Sequence, residues 1–459
     1  MSASQSGAAG APRGLSREQA RELCDVVLDF ARADHTRVNL RSGWRGFTRT
    51  ATNRITTAGG STDTTVQITS VFGKRVARVT TNTLDPAGLE QAVRDSEALA
   101  RLSPEDPEYM PELGPQEYVS VEGYYAKTGD LTPEARAESM AQGLEAARAS
   151  GTIAAGFMDV SAGTRAVATS SGLFAHHAST GVASTLTVRT PDGQSSGWAG
   201  DEAADWTSIE SERIADDAVR KCLDWRGKAT LEPGEYDVVL EPTAVGMLIR
   251  NMRRQAFNAR TADEGRSYFS RPGGGTRLGE RVFHPSITIR TDPSAPDAET
   301  SPFADDGSPL RPEVWVENGV LRSLAYTRSW ADRQGVRPRP VPSNLIMEGG
   351  DATVEDMIGS IQRGVLITRF WYIRGLNTQT ISYTGLTRDG TFLIENGRIT
   401  RPVTNFRFNQ SLASLLQNVE MLGRPIRVAA SESSSVAAPI VVPAMKVRGF
   451  NLASVSDAI

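Results

Sequence analysis

The sequence predicts an α+β protein made of two layered domains with mainly antiparallel sheets flanked by helices. Three observations support this prediction. The chain has 459 residues, which favours two domains over one. Segments with helical hydrophobic spacing interrupt runs in which polar and apolar side chains alternate. Two Asn-Gly pairs lie between alternating segments, which is typical of antiparallel hairpins with type I′ turns.

The composition is that of a folded, soluble protein. The apolar fraction is 39%, the charged fraction is 23% and the net charge is −4. This balance argues against nucleic-acid binding, which normally needs a clustered basic excess. No segment has the roughly 20 apolar residues of a membrane span, and the N-terminus has no signal-peptide core. We therefore expect a cytoplasmic protein without membrane contact, in which residues 1–14 are a flexible tail.

Residues 15–230 are predicted to form an N-terminal α+β domain. Ser16 and Gln19 have capping-box spacing, so we expect a helix from there to about residue 33. Residues 36–81 and 153–190 alternate and are predicted as strands. The expected turns are Gly59-Gly60, Phe72-Gly73, 170–172 and 191–193, and the remaining expected helices begin at Asp85-Pro86, at Thr132-Pro133 and near Ser208.

Residues 231–459 are predicted to form a β-rich C-terminal domain. A buried strand over 236–240 leads through Glu241-Pro242 into a helix that ends near Asn258, and a loop-rich stretch over 265–312 follows. Pro443 lies in the last expected strand and predicts that this strand is at a sheet edge. The other expected elements are hairpins at Asn318-Gly319 and Asn396-Gly397, helices over 351–362 and 411–419, and strands over 364–368 and 440–447.

The histidines do not have the pattern of a metal site. A catalytic zinc needs three protein ligands, and the chain has only four histidines. His176 and His177 are the one close pair, but neighbouring residues of a strand point to opposite faces of the sheet. His284 precedes a proline and is interpreted as structural.

Other short motifs also fail as catalytic sites. Residues 193–197 read GQSSG, like a nucleophile elbow, but no helix start follows Ser195. Gly273 to Gly275 lack the Lys and Ser/Thr of a phosphate loop and are interpreted as a flexible cover. Asp305-Asp306-Gly307 is expected to be a turn rather than a calcium loop. Cys24 and Cys222 are expected to be buried thiols in a reducing compartment.

Six stretches share their order and pattern with one known family. They are 80–85 (TTNTLD), 301–307 (SPFADDG), 316–321 (VENGVL), 342–345 with 348–349 (PSNL, EG), 363–368 (RGVLIT), and 393–397 with 402–403 (LIENG, PV). Together they resemble the TldD/PmbA family, which is related to proteins called modulators of DNA gyrase. The resemblance implies an intracellular metallopeptidase of two subunits that acts on unfolded or extended peptides.

The resemblance also implies where zinc would bind. In the catalytic TldD branch, a helix after the first strand of the second domain carries His-Glu-x-x-x-His, and a late cysteine is the third ligand. In this chain the three motif positions are Pro242, Thr243 and Met247, and no cysteine follows Cys222. The sequence is therefore closest to the PmbA/TldE branch, in which the subunit has no zinc ligands and its TldD-type partner holds the zinc.

Three hypotheses follow from the resemblance and the residues. The first is a zinc-ligand-free subunit of a heterodimeric peptidase that degrades or matures peptides, with no catalytic residue of its own. The second is a repurposed enzyme, and the third is a structural or binding homodimer. Glu241, Arg250 and Arg253 are the candidate pocket or peptide-binding residues.

Overall fold

A computed structural model describes residues 13–255, 257–430, 432 and 436–456, with the backbone alone for residues 254 and 255. Within these residues the chain forms three sheets flanked by helices, and nearly all neighbouring strands are antiparallel. The α+β prediction is therefore confirmed. None of the described helices has both the length and the apolar character that a membrane span requires.

The first half of the chain forms the first sheet and the helices that cover it. Its strand order is β3-β2-β1-β4-β5-β6, and every neighbouring pair is antiparallel. The elements are α1 (Arg17–Phe30), β1 (His35–Ala51), β2 (Arg54–Phe72), β3 (Arg75–Thr81), α2 (Pro86–Leu102), α3 (Ala126–Gly129), α4 (Pro133–Ala149), β4 (Ile153–Thr169), β5 (Phe174–Arg189), β6 (Ser196–Ala203) and α5 (Ser211–Asp224).

The two faces of the first sheet have different partners. Even-numbered residues of β1, β4 and β5, such as Val38, Met158 and Val188, belong to the apolar clusters that also contain residues of the helices. Odd-numbered residues of the same strands lie on the opposite face, because side chains alternate along a strand. That face carries many charged residues and contacts the second half of the chain.

The second half forms the other two sheets. The elements are β7 (Gly234–Leu240), α6 (Pro242–Gln255), α7 (Ala259–Asp263), β8 (Ile289–Thr291), β9 (Glu313–Glu317), β10 (Val320–Leu321), α8 (Arg328–Gln334), β11 (Leu345–Met347), α9 (Val354–Gly359), β12 (Arg363–Ile367), β13 (Phe370–Asn377), β14 (Ser382–Thr387), β15 (Thr391–Glu395), β16 (Arg398–Pro402), β17 (Asn405–Ser411), α10 (Leu412–Gln417), β18 (Val419–Leu422), β19 (Ile426–Arg427), β20 (Ile440–Val442) and β21 (Met445–Ser456).

These strands form a second and a third sheet with α6 packed against both. The second sheet has the order β13-β14-β17-β21-β7-β12-β15-β16, with β18 beside β21, and the third has the order β10-β9-β8-β11-β20-β19. Helix α6 contacts β7 and β13 of the second sheet and β11 and β20 of the third. One large apolar core therefore surrounds this helix.

Local signals predicted most helix starts and hairpins correctly. The capping box at Ser16 and Gln19 is present, and so is one at Thr353 and Asp356. Asp85 and Thr132 cap α2 and α4, each followed by a proline in the first turn. Both Asn-Gly turns have two positive φ angles, 49° and 76° at 318–319 and 51° and 75° at 396–397. These angles are those of the predicted type I′ turns.

The turn predicted at Gly59-Gly60 is wrong. Both glycines lie in the middle of β2, where Gly59 pairs with Phe47 and Gly60 pairs with Gly46. The chain turns instead at Thr52 and Asn53, whose φ angles are 50° and 58°. A Cβ on Gly59 would approach the Phe47 ring at 3.0 Å, so glycine here makes room for an aromatic side chain rather than for a turn.

The edge position predicted for Pro443 is also wrong. The predicted strand over 440–447 is two strands, β20 and β21, which belong to the third and the second sheet. Pro443 and Ala444 lie between them. β20 pairs with β11 on one side and with β19 on the other, so it is internal to its sheet. The missing N–H of proline is tolerated because Pro443 lies where the ladder is already interrupted.

The predicted N-terminal tail, residues 1–14, lies outside the described residues except for Arg13 and Gly14. Arg13 contacts the first half of the chain, since its backbone N–H donates to the Tyr124 hydroxyl at 2.8 Å. The division of the chain into residues 15–230 and 231–459 stays a proposal.

Candidate functional site

The charged face of the first sheet and the second half of the chain form a cleft, which contains the candidate site. Arg41 and Arg165, on β1 and β4, contact the Asp305 carboxylate at 3.2 and 2.7 Å. On β6, Glu202 and Trp198 lie on the same face and contact arginines of the second half. These contacts are ion pairs and a cation–π contact, and Phe303 of the second half also packs in a small apolar cluster with Val167 and Ala175 of this face.

The three motif positions lie at the start of α6. Pro242 and Thr243 are half-buried, whereas Met247 is 4% exposed and belongs to the core of the second half. Between them, a Cβ on Gly246 would overlap Cγ2 of Val428. This end of the helix is therefore in direct contact with the strand region after β19.

These residues do not fit a zinc ion. Proline has no side-chain donor, and a thioether is a soft ligand that suits copper rather than hydrolytic zinc. Met247 is also enclosed by apolar side chains. Among the described residues, no group of three or more His, Cys, Asp or Glu side chains is placed to hold a metal ion.

Glu241 is held in an ion pair. Its Oε2 accepts from Lys221 Nζ at 2.6 Å, and both side chains are mostly buried. The backbone N–H of Glu241 also donates to the Ile367 carbonyl at 3.1 Å. Glu241 therefore connects α5 to the start of α6.

Arg250 takes part in a buried cluster of charges between the first sheet and the second half of the chain. Its Nη1 donates to the Ala438 carbonyl at 2.6 Å. Next to it, Arg427 Nη2 approaches Glu202 Oε1 at 3.3 Å, and Arg427 Nη1 approaches Glu299 Oε2 at 3.8 Å. The Tyr125 hydroxyl donates to the other oxygen of Glu299 at 2.8 Å. We call these residues the central cluster.

Burial shifts the pKa values of two charged side chains in the central cluster. The Glu202 side chain is fully buried, and burial raises its pKa even though Arg427 and Arg250 lower it. Burial likewise lowers the pKa of Arg250. Several polar atoms have no hydrogen-bond partner within the described residues: Glu202 Oε2, Arg250 Nη2 and Arg427 Nε. The cluster therefore offers both donors and acceptors to a further polar group.

Arg253 supports a second part of the cleft. Its Nη1 donates to the carbonyls of Pro342 and Ser343 at 2.7 and 3.3 Å. The guanidinium also lines a cavity of about 500 Å³, together with Phe303 and Arg165. Glu241, Arg250 and Arg253 therefore have three separate sets of partners, and Arg253 lines this cavity.

The remaining sequence motifs are structural. His177 lies on the charged face with 7% exposure, and burial lowers its pKa to about 4. His176 points the other way and bonds the Leu15 carbonyl, which agrees with the prediction that the pair cannot share a metal. Ser195 is buried and donates to the Cys222 carbonyl at 2.5 Å, so it is no nucleophile elbow.

The cysteines and glycine-rich segments also have structural roles. Cys24 and Cys222 are free and buried, as predicted, and burial raises the pKa of both, that of Cys24 to about 12. Gly273 to Gly275 form a turn closed by the Arg271 N–H and the Gly275 carbonyl. Residues 305–307 form the predicted turn, with Gly307 at φ 80°.

Sequence reasoning did not find Glu202, Arg427 or Arg369. Glu202 and Arg427 are 225 positions apart, so no local pattern joins them. A partial signal existed in β6, because Trp198, Gly200 and Glu202 alternate on one face with a carboxylate among them. A carboxylate on the same strand face as a tryptophan indicates that a cation packs against that face.

Comparisons with known proteins agree with the sequence resemblance. Residues 233–454 match the family model described as the PmbA/TldA metallopeptidase C-terminal domain, and residues 127–224 match its central domain. The chain belongs to the PmbA/TldD family. The two matches together span well over half of the sequence.

Curated relatives match over part of their length. A metalloprotease of Methanothermobacter thermautotrophicus is 27% identical over 219 residues, which are 44% of this chain and 46% of the relative. The metalloprotease TldD homolog of Haemophilus influenzae is 25% identical over 259 residues, or 52% of each chain. The alignments thus span about half the length of these PmbA/TldD relatives.

Solved structures of the same fold match almost the whole chain. TldE from Thermococcus kodakarensis superimposes with a TM-score of 0.82 at 18% identity, covering 94% of this chain and 99% of that one. A putative modulator of a DNA gyrase from Thermotoga maritima gives 0.82 at 19% identity with the same coverage. At this identity the likeness establishes the fold.

Proposed function

We propose that this PmbA/TldD-family chain is the zinc-ligand-free, TldE-like subunit of a two-subunit cytoplasmic metallopeptidase. In this proposal a TldD-type partner supplies the zinc and the catalytic residues. The substrates are unfolded or extended peptides that the pair degrades or matures. The observation that carries the proposal is the sequence of α6, where the two histidine positions of the family's His-Glu-x-x-x-His motif hold Pro242 and a core-buried Met247, and the Glu position holds Thr243.

The central cluster supports a role in peptide binding. An extended peptide presents alternating N–H and C=O groups, and the cluster has unpaired donors and an unpaired acceptor among its described residues. Glu202 lies on β6, the last strand of the first sheet, and Arg427 lies on β19, the last strand of the third. Sheet edges accept extended peptides by strand addition.

The experiment compares the purified full chain with the chain mixed with the TldD-type protein of the same organism. We expect the chain alone to show no peptidase activity and to bind no stoichiometric zinc. The mixture should cleave an unfolded peptide and lose this activity on addition of a chelator. Chelator-resistant cleavage by the chain alone would overturn the proposal.

A variant pair tests the role of the cluster in that mixture. Arg250→Gln removes a donor of the central cluster, and we expect KM for the peptide to rise about tenfold. Arg322→Gln is the matched control, because Arg322 pairs with Glu317 on the exposed surface outside the cleft. Equal kinetic constants for both variants would contradict the assignment of peptide binding to the cluster.

A further inference from the structure

The cleft contains a second charged cavity, at the far end of the first sheet from Asp305. Its floor is the charged face of that sheet, with Phe157 and Thr187, and its opposite wall is formed by the ends of β13 and β14 in the second half. The cavity has a volume of about 490 Å³. This is within the range of small-ligand sites.

The most buried cation in the described lining of this cavity is the guanidinium of Arg369. Its side chain is 5% exposed and lies over the indole rings of Trp198 and Trp371, at 4.7 and 5.2 Å from their centroids. Aromatic faces attract a cation and hold its plane in position. The guanidinium edge therefore has a fixed direction, which a bidentate anion site requires.

Arg369 has only part of the compensation that a buried cation needs. Its Nε approaches Asp389 Oδ2 at 3.1 Å, and Arg388 Nε approaches the same oxygen at 3.8 Å. The Asp389 carboxylate is thus shared between the guanidinium groups of Arg369 and Arg388. Nη1 of Arg369 is buried and has no hydrogen-bond partner within the described residues. Burial lowers the pKa of Arg369 to about 10, although Asp389 raises it.

The acidic groups near Arg369 already have partners. Asp389 accepts from the Ser196 hydroxyl at 2.5 Å, and it adopts a left-handed conformation with φ 55°. Glu432 accepts from the Ile373 backbone N–H at 2.5 Å and from Arg374 at 3.3 Å. Arg49 and Arg189 also line the cavity, so its described lining carries four arginines against two carboxylates.

We propose that this cavity binds the terminal carboxylate of a peptide, with Arg369 as the anion ligand and Trp198 and Trp371 beside the last side chain. This inference rests on the proposed function, because it identifies which end of the peptide the subunit holds. A carboxylate is attracted by the excess of arginines in the lining, and one of its oxygens would accept a hydrogen bond from Nη1. The indole surfaces favour an apolar or aromatic terminal residue.

The experiment measures binding of a dansylated tripeptide that ends in phenylalanine, as the free acid and as the C-terminal amide, to the purified full chain. We expect the acid to bind at least about tenfold more tightly than the amide, since a charge-assisted hydrogen bond is lost in the amide. Arg369→Gln should remove this preference. Arg322→Gln, whose exposed pair with Glu317 lies outside the cavity lining, should retain it.

A second variant keeps the test decisive if Arg369→Gln does not fold. Ala155→Trp places a large side chain in the cavity from an exposed position of β4, and it should also remove the preference. Ile153→Trp, two residues away on the same face but outside the lining, is its matched control. Equal binding of acid and amide by the wild-type chain would overturn the proposal, and so would retention of the preference in Ala155→Trp.

Two further outcomes separate this site from its alternatives. Displacement of the acid by inorganic phosphate at equal concentration would show a phosphate site and would overturn the carboxylate assignment. Peptidase activity of the assembled pair is measured separately. A pair that cleaves peptides while acid and amide bind equally would leave the proposed function intact and remove only this site.

Discussion

Met247 gives the sharpest test of the interpretation of α6. The side chain is 4% exposed within the large apolar core, and Trp315 of the same core is 1% exposed. Met247→His removes an apolar side chain whose burial contributes about 1.5–3 kcal/mol. It also places ring nitrogens where an unpaired polar group costs about 1–3 kcal/mol. We therefore expect a loss of about 3–5 kcal/mol in the free energy of unfolding.

Urea unfolding followed by tryptophan fluorescence measures this loss. Met110→His, at a half-buried position outside that core, is the control and should cost less than about 1 kcal/mol. The triple variant Pro242→His, Thr243→Glu, Met247→His has the family's His-Glu-x-x-x-His motif in its sequence. We expect it to be destabilised and to retain no stoichiometric zinc after dialysis. One zinc per chain with wild-type stability would refute the reasoning.

Three further predictions concern other parts of the cleft and the hairpins. Burial lowers the pKa of His177 from 6.5 to about 4, so its neutral form stabilises the fold above pH 6.5 and this contribution falls as the pH drops towards 4. The stability of the wild type relative to His177→Gln should therefore decrease by about 2 kcal/mol between pH 7.5 and pH 5. Gly319→Ala should cost about 3 kcal/mol, because φ is 76° and the added Cβ overlaps the Phe283 carbonyl. Arg427→Gln should cost about 3–5 kcal/mol because it removes the ion-pair partner of the buried Glu202, whereas Glu202→Gln should cost under about 2 kcal/mol.

Each of these has a matched control, and all are measured by urea unfolding. His284→Gln, outside the first sheet, reports any effect of replacing a histidine alone. Gly335→Ala has a similar φ of 63° with nothing within 4 Å of the added Cβ, so it should lose less than Gly319→Ala. Arg322→Gln, in an exposed pair, should stay within about 1 kcal/mol. Equal losses in any variant and its control would contradict the corresponding explanation.

The sequence predicted what local chemistry determines. A capping box such as Ser16 with Gln19, or an Asn-Gly turn such as Asn318-Gly319, satisfies its own backbone within a few residues, so the pattern alone is informative. The fold class followed from the order of such elements. The absence of metal-ligand residues at Pro242 and Met247 was also visible without coordinates, because it depends on residue type.

What the sequence did not predict depends on contacts between distant segments. Gly59 has the composition of a turn, but its pairing with Phe47 keeps it inside a strand. No local pattern distinguishes Arg369 from the other arginines, and its role depends on the fold, which places it against the rings of Trp198 and Trp371. Arg250 was identified from its position on α6. Its neighbours Arg427 and Glu202 lie on β19 of the third sheet and β6 of the first sheet, far from α6 in the sequence.

The junction at Pro443 and Ala444 has a mechanical consequence. These two residues are the whole connection between β20, which is internal to the third sheet, and β21, which is internal to the second. Two extended residues span only about 7 Å, so neither sheet can shift far without pulling on the other. We expect the amide hydrogens of both strands to exchange with one common opening free energy, as a single cooperative unit.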